Sequence, residues 1–224
     1  YSLDLKGSEY YTIYLRDLDS NKNEKDIIEN TSGGITWSLD SKSFFYSKLD
    51  KFHRPRQIFK HILGTTVKED KLIFEEKDET FTCSISLSSD ENFFIISTSD
   101  HITTEEHFFP SNTNEIKPVL FQKRAKDVRY SIDSWRGFFY VHTNEDARDY
   151  KILKCKVDQI DKLEIFIPAK KETVIGGLDF LDEYILRSEK SDAIPKLYVR
   201  NIKTNHEEEI KISDEVIGVP GASL

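Results

Sequence analysis

The sequence predicts an all-β protein assembled from four-stranded antiparallel meanders, and three observations carry that expectation. Aromatic doublets recur: with Phe45 as the marker, the same phase returns at Phe94, Phe139 and Tyr184, at intervals of 49, 45 and 45 residues. Each interval repeats one grammar of short strand, polar turn, hydrophobic strand, longer polar loop and two further strands, the pattern of half-buried sheet. No long amphipathic helix interrupts the series. Four strands in about 45 residues is the length of a β-propeller blade, so the chain is expected to hold about four to four and a half blades. Closed propellers have about four to eight.

The elements follow in order. Residues 1–30, with YYTIYLRDLDSNKNEKDII, read as the outer half of a truncated blade. The unit at 31–79 is the clearest. GITWSL (34–39) is its first strand, DSKS a turn and FFYSKL (44–49) the second strand. DKFHRPR (50–56) is the longer loop. QIFKHIL (57–63) is the third strand, with Ile58, Lys60 and Ile62 alternating against Phe59, His61 and Leu63. GTTVKED turns the chain and KLIFEE (71–76) is the fourth strand. FTCSISL (81–87) opens the unit 80–126. Units 127–172 and 173–213 follow, and 214–224 begins a further blade or tail, so that 1–224 is one partial propeller domain. Pro55, Pro110 and Pro195 are placed in loops, where a missing N–H does no harm.

Ser32-Gly33-Gly34 raises a catalytic question. A nucleophile elbow is G-x-S-x-G. Gly34 fits, but Asn30 stands two residues before Ser32, and β-branched and aromatic residues follow instead of a helix. Ser32 is therefore read as a turn residue where one blade ends and the next begins, with glycines supplying positive φ.

Hydrophobic residues make up 38% and aromatic residues 12% of the 224, enough for a core and too many for global disorder. The net charge of -8 argues against nucleic acid and anionic membrane surfaces as partners. No apolar run approaches the ~20 residues of a spanning helix. The start lacks a basic region followed by an apolar core, and the chain holds no methionine, which suits a fragment of a longer chain. Cys83 and Cys155 lie in strand-like segments and fit buried thiols of a cytoplasmic protein. The sequon at Asn30 would matter only in a secreted one. No phosphate-binding glycine loop is present, and no cofactor is expected.

Specific stretches carry a resemblance. RQIFKHILGT (56–65), DKLIFEEKDETF (70–81), the TTEE of HITTEEHFF and FYVHTN (139–144) resemble, in order, the N-terminal propeller of oligopeptidase B (protease II), in the prolyl oligopeptidase family of serine peptidases. The similarity runs over about residues 10–212. It implies a seven-bladed propeller covering an α/β-hydrolase domain that holds a Ser/Asp/His triad and cleaves short peptides after Arg or Lys. The chain has no G-x-S-x-G, so no triad residue carries over and the chain alone is expected to be inactive. A stand-alone interaction module, or the remnant of a truncated peptidase gene, is the alternative.

Loops on a rigid scaffold carry function. In a meander, the loops between strands two and three share an end with the connections between blades. That end comprises 50–56, 99–106, 143–149 and 188–195, with 76–80 and 122–127. Its candidate residues are Asp50, Arg54, Glu76, Asp78, Glu79, Asp100, Glu105, Glu106, Glu145 and Asp146, joined by Asp149. The carboxylates would attract basic peptides or pair with cations of the hydrolase domain. Arg54 and Arg129 are the arginines expected to form fixed pairs with them. His101 and His107 lie too far apart along an extended chain, about 20 Å, to share a metal, and no metal site is expected. Trp37 and Trp135 are read as packing anchors. An arc of blades leaves open sheet edges, so self-association is expected.

Overall fold

The computed structural model describes residues 1–113 and 115–211; the segment 214–224 lies outside the described residues. The fold is all-β, with antiparallel pairing throughout its sheets and, among the described residues, a single 3-10 turn at Val67–Glu69. The chain divides into two compact units, Tyr1–Asp127 and Val128–Leu224.

In the first unit, β1 (Ser2–Leu3), β2 (Tyr11–Asp17), β3 (Lys22–Trp37), β4 (Ser43–Leu49), β5 (Pro55–Ile62) and β6 (Lys71–Glu75) pair in chain order. A second meander holds β7 (Thr82–Leu87), β8 (Phe93–Ser99), β9 (Thr104–Pro110) and β10 (Val119–Gln122). The second unit contains two four-stranded meanders. One is β11 (Tyr130–Trp135), β12 (Phe138–Thr143), β13 (Lys151–Lys156) and β14 (Glu164–Ile167). The other is β15 (Thr173–Phe180), β16 (Tyr184–Ser191), β17 (Ile194–Asn201) and β18 (Glu207–Ile210).

The six-stranded sheet corrects the reading of Ser32. Ser32 lies inside β3, not on a turn. The first half of β3 pairs with β2, Ile28 opposite Ile13, and its second half with β4, Trp37 opposite Phe44. Between them the register shifts from Thr31 to Ile35. Gly33 takes φ +88° there, and its N–H donates to the Thr31 hydroxyl (3.1 Å). A bulge thus carries one ribbon from one meander into the next without a turn.

Hairpin chemistry sets the true phase of the repeat. The Ser38 hydroxyl, with one proton to donate, lies 2.6 Å from Asp40 Oδ1 and 2.7 Å from the Ser43 carbonyl, and accepts the Ser43 N–H (3.1 Å). Ser88 does the same with Asp90 (3.0 Å) and the Phe93 N–H (3.0 Å). Ser38 therefore matches Ser88, and Phe44, not Phe45, matches Phe94. Packing agrees. Phe44 lies with Ile13, Ile28 and Tyr46, whereas Phe45 meets Phe94 from the opposing sheet, ring centroids 4.6 Å apart. Shifting a strand by one residue exchanges its two faces, so both members of a doublet are buried against different neighbours.

The first unit's core between meanders is Phe45, Ile58, Cys83, Phe94, Ile96 and Phe109. In the second unit Ile152, Ile167 and Ile175 form the cluster, with Tyr140 against Phe166 and Phe180. Trp135 stacks on Phe180 (5.6 Å), but Trp37 is 42% exposed and meets Phe44 only at an edge.

The prolines and one expected loop also move. Pro55 begins β5, Pro110 ends β9 and Pro195 lies inside β17 opposite Lys190. No loop spans 188–195. β16 and β17 join through Asp192 and Ala193, both at positive φ (51° and 62°), the conformation of a two-residue hairpin. Ala193 carries no turn signal, which is why the sequence reads as a longer loop.

Candidate functional site

Four loops of the first unit meet at one end of its strands: 50–54, 76–80, 100–103 and 123–127. They are bonded to one another. Glu76 is buried at 4% exposure, and its carboxylate accepts the Asp78 N–H (2.8 Å) and an Arg124 Nη2 proton (2.6 Å). The same Arg124 nitrogen reaches Glu105 Oε1 (3.1 Å), and the Arg124 backbone N–H donates to Glu105 Oε2 (2.9 Å). Arg124 Cζ stands over the Phe81 ring, 4.0 Å from its centroid. One guanidinium thus clamps two carboxylates 29 positions apart in the chain and covers an aromatic face, a use for which Arg is suited and Lys is not.

Arg56 ties a second pair of loops. Its Nε and Nη2 donate to the Glu76 carbonyl (3.1 and 2.9 Å), and Nη2 also to the Lys77 carbonyl (2.9 Å). Its Nη1 stands 3.8 Å from Asp50 and 3.7 Å from Glu79. Arg54 donates to the Glu79 carbonyl (2.8 Å), a backbone oxygen and not a carboxylate. Asp78 and Asp100 hold their own loops: Asp78 accepts the Thr80 hydroxyl and N–H, and Asp100 accepts the N–H groups of Ile102 and Thr103. These hydrogen bonds hold both carboxyls below the usual range.

The structure brings together Asp50, Arg54, Glu76, Asp78, Glu79, Asp100 and Glu105 within the first unit. Glu105 and Glu106 are not loop residues, because β9 begins at Thr104. Successive strand residues point to opposite faces. Glu105 therefore meets Arg124, and Glu106 faces away, opposite Ser97, whose hydroxyl donates to it at 2.6 Å. Burial pushes the Glu106 carboxyl up to about 8. Glu145 and Asp146 lie in the second unit, in the loop between β12 and β13, where the Thr143 hydroxyl accepts the Glu145 N–H (3.1 Å).

The fixed pairs form on Arg56 and Arg124, not on Arg54 and Arg129. Arg129 enters through its backbone, with Asn144 and Thr143. Arg124 stands 48 positions from Glu76, and no local pattern announces a pair at that separation. His101 is in a loop and His107 in β9, its ring 4.8 Å from Phe74.

The second unit holds an ion cluster that was not anticipated. Arg187 and Glu189 of β16 are buried and paired. Lys170 reaches Glu189 (2.6 Å), while Arg187 and Arg200 grip Glu207 (2.7 and 2.9 Å). Arg187 also covers the Tyr198 ring (4.5 Å). The signal was present: charges at alternate positions of a strand point to one face.

The four-stranded meanders and their bonded end loops define a β-propeller protein. The structure superposes on oligopeptidase B from Leishmania major with a TM-score of 0.88 at 20% identity, over 95% of this chain and 32% of that one. Oligopeptidase B from Trypanosoma brucei gives 0.86 at 22% identity, over 96% and 31%. Residues 1–223 match the model for the N-terminal β-propeller domain of prolyl oligopeptidase, and the chain belongs to that family. Protease 2 of Moraxella lacunata is 27% identical over 195 residues, 86% of this chain and 28% of that protein. Dipeptidyl aminopeptidase BI of Pseudoxanthomonas mexicana is 27% identical over 203 residues, 89% and 28%. The chain spans less than a third of these relatives.

Proposed function

We propose that this chain is the substrate-gating propeller of an oligopeptidase B-like serine peptidase that hydrolyses short peptides after basic residues. The family match over residues 1–223 carries the reading. In it, the chain supplies part of a seven-bladed ring, and an α/β-hydrolase domain supplies nucleophile, base and oxyanion donors.

The bonded rim is the surface that would face the hydrolase domain. Its four loops carry Asp50, Glu76, Asp78, Glu79, Asp100 and Asp127 against Lys51, Arg54, Lys77, Lys123, Arg124 and Lys126. So balanced a surface favours short-range pairing with a domain over long-range attraction of cationic peptides. Arg124 and Arg56 then serve as positioning residues that hold the loops in shape. Rigid loops that exclude folded proteins and admit flexible peptides are what gating requires.

The test is a complete enzyme whose reading frame continues into a G-x-S-x-G domain. Peptides graded by length and by the residue before the cleaved bond are expected to show cleavage of short basic substrates. Charge reversal at the exposed Asp78 and Glu79 is expected to weaken domain pairing and relax the length limit. An unchanged length limit and salt dependence would count against the rim's role.

A further inference from the structure

The rim loops of the first unit border an open groove of about 430 Å³ lined by Arg54, Thr80, Thr82, Ser99, Asp100 and His101. The arginines of the rim are not equally occupied. Arg56 and Arg124 are spent on carboxylates. Arg54 differs: one neutral carbonyl, that of Glu79, anchors its Nη1, and among the described residues no carboxylate stands within ion-pair distance. Its backbone is fixed too, since its N–H donates to Asp50 Oδ1 (3.0 Å). A guanidinium held in place with donors left over matches the planar fork of a carboxylate.

We propose that this groove is a carboxylate subsite, in which Arg54 receives the C-terminal carboxylate of a bound peptide and His101 flanks it. The proposal rests on the reading that the rim faces the hydrolase domain, and so borders the space in which that domain meets its peptides. Asp100 opposes the ligand's charge. Its Oδ1 is committed to the N–H groups of Ile102 (2.8 Å) and Thr103 (2.6 Å), and it limits the groove to one carboxylate. The Thr82 hydroxyl is turned to the Ser99 carbonyl (3.3 Å), and that of Thr80 to Asp78 (2.7 Å), which leaves their oxygens as acceptors on the wall.

The experiment titrates the 224-residue chain with N-acetylated tetra-alanine, as free acid and as C-terminal amide, and follows the backbone amide NMR signals of Thr80, Thr82, Ser99, Asp100 and His101. The free acid is expected to shift these signals and to bind at least about tenfold more tightly than the amide, the scale of a charge-assisted hydrogen bond. Arg54→Gln should abolish the difference, and Arg54→Lys should restore part of it. Asp100→Asn keeps the Oδ1 acceptor that holds the loop, and is expected to tighten binding severalfold. The spectra report directly that each variant is folded. Equal binding of acid and amide, or an unchanged Arg54→Gln variant, overturns the subsite but leaves a rim that faces the hydrolase domain. Absence of any shift overturns the subsite as well, and the peptidase reading is then decided separately by the hydrolysis test.

Discussion

Replacing Glu106 by Gln should remove a loss of stability that grows with pH. Glu106 lies on β9 at 2% exposure, with the Ser97 hydroxyl donating to it. Burial raises its carboxyl from an ordinary 4.5 to about 8. The native state therefore keeps a proton that the unfolded chain releases. Below pH 4.5 both states are protonated and the full stability is present. Between 4.5 and 8 the unfolded chain gains by ionising, at about 1.4 kcal/mol per pH unit. From pH 5 to pH 8 the expected loss is about 3 to 4 kcal/mol, a large part of the 5–15 kcal/mol typical of a domain. Gln keeps an acceptor for Ser97 and does not titrate. Urea unfolding of both proteins across that range should show Glu106→Gln gaining on the parent steadily as pH rises. Other titrating groups, including His107, which burial holds below its ordinary value, cancel in the difference. Parallel pH profiles for the two proteins would refute the argument.

Arg124→Ala should destabilise the first unit by about 2 kcal/mol, because Glu76 and Glu105 lose their shared cation; the figure is kept below that for fully buried pairs since Arg124 is a quarter exposed. Thermal unfolding measures it, and Arg124→Lys should recover only part. Gly33→Ala should cost about 1–3 kcal/mol, since a Cβ there meets Tyr11 Cγ at 3.0 Å and φ is +88°; an unaffected melting temperature would show that β3 relaxes freely. Burial holds Cys83 and Cys155 as thiols, pushed up to about 12 and about 11, so neither should react with a thiol reagent at neutral pH until the chain unfolds.

The meanders were legible because strand grammar is local. Alternation in QIFKHIL and the Ser–Asp turns at 38–43 and 88–93 act within a few residues, and β4, β5, β6 and β7 lie within a residue or two of where their own patterns put them. The doublets misled by one position. Both of their rings are buried, so hydrophobicity cannot say which one faces which neighbour. Ala193 hid a tight hairpin because its positive φ is imposed by the strands beside it. The rim was found as a place, from topology, but its partners were not. Arg124 and Glu76 are far apart in the chain, and nothing near either residue selects the other. Glu106 was placed on the rim because a strand start was missed by a few residues, which is enough to turn a side chain from solvent to core.

The sequence by itself determined the all-β class, the repeat of four-stranded meanders and the family resemblance. These depend on period-two alternation, turn chemistry and ordered motifs, all readable along the chain. Only the tertiary structure decided that β3 crosses between meanders, which ring of each doublet meets which sheet, and that Arg56 and Arg124 pair with carboxylates while Arg54 meets a backbone carbonyl. Those outcomes depend on which distant residues arrive side by side. Competition among many charged groups for a few partners is settled by geometry, not by composition.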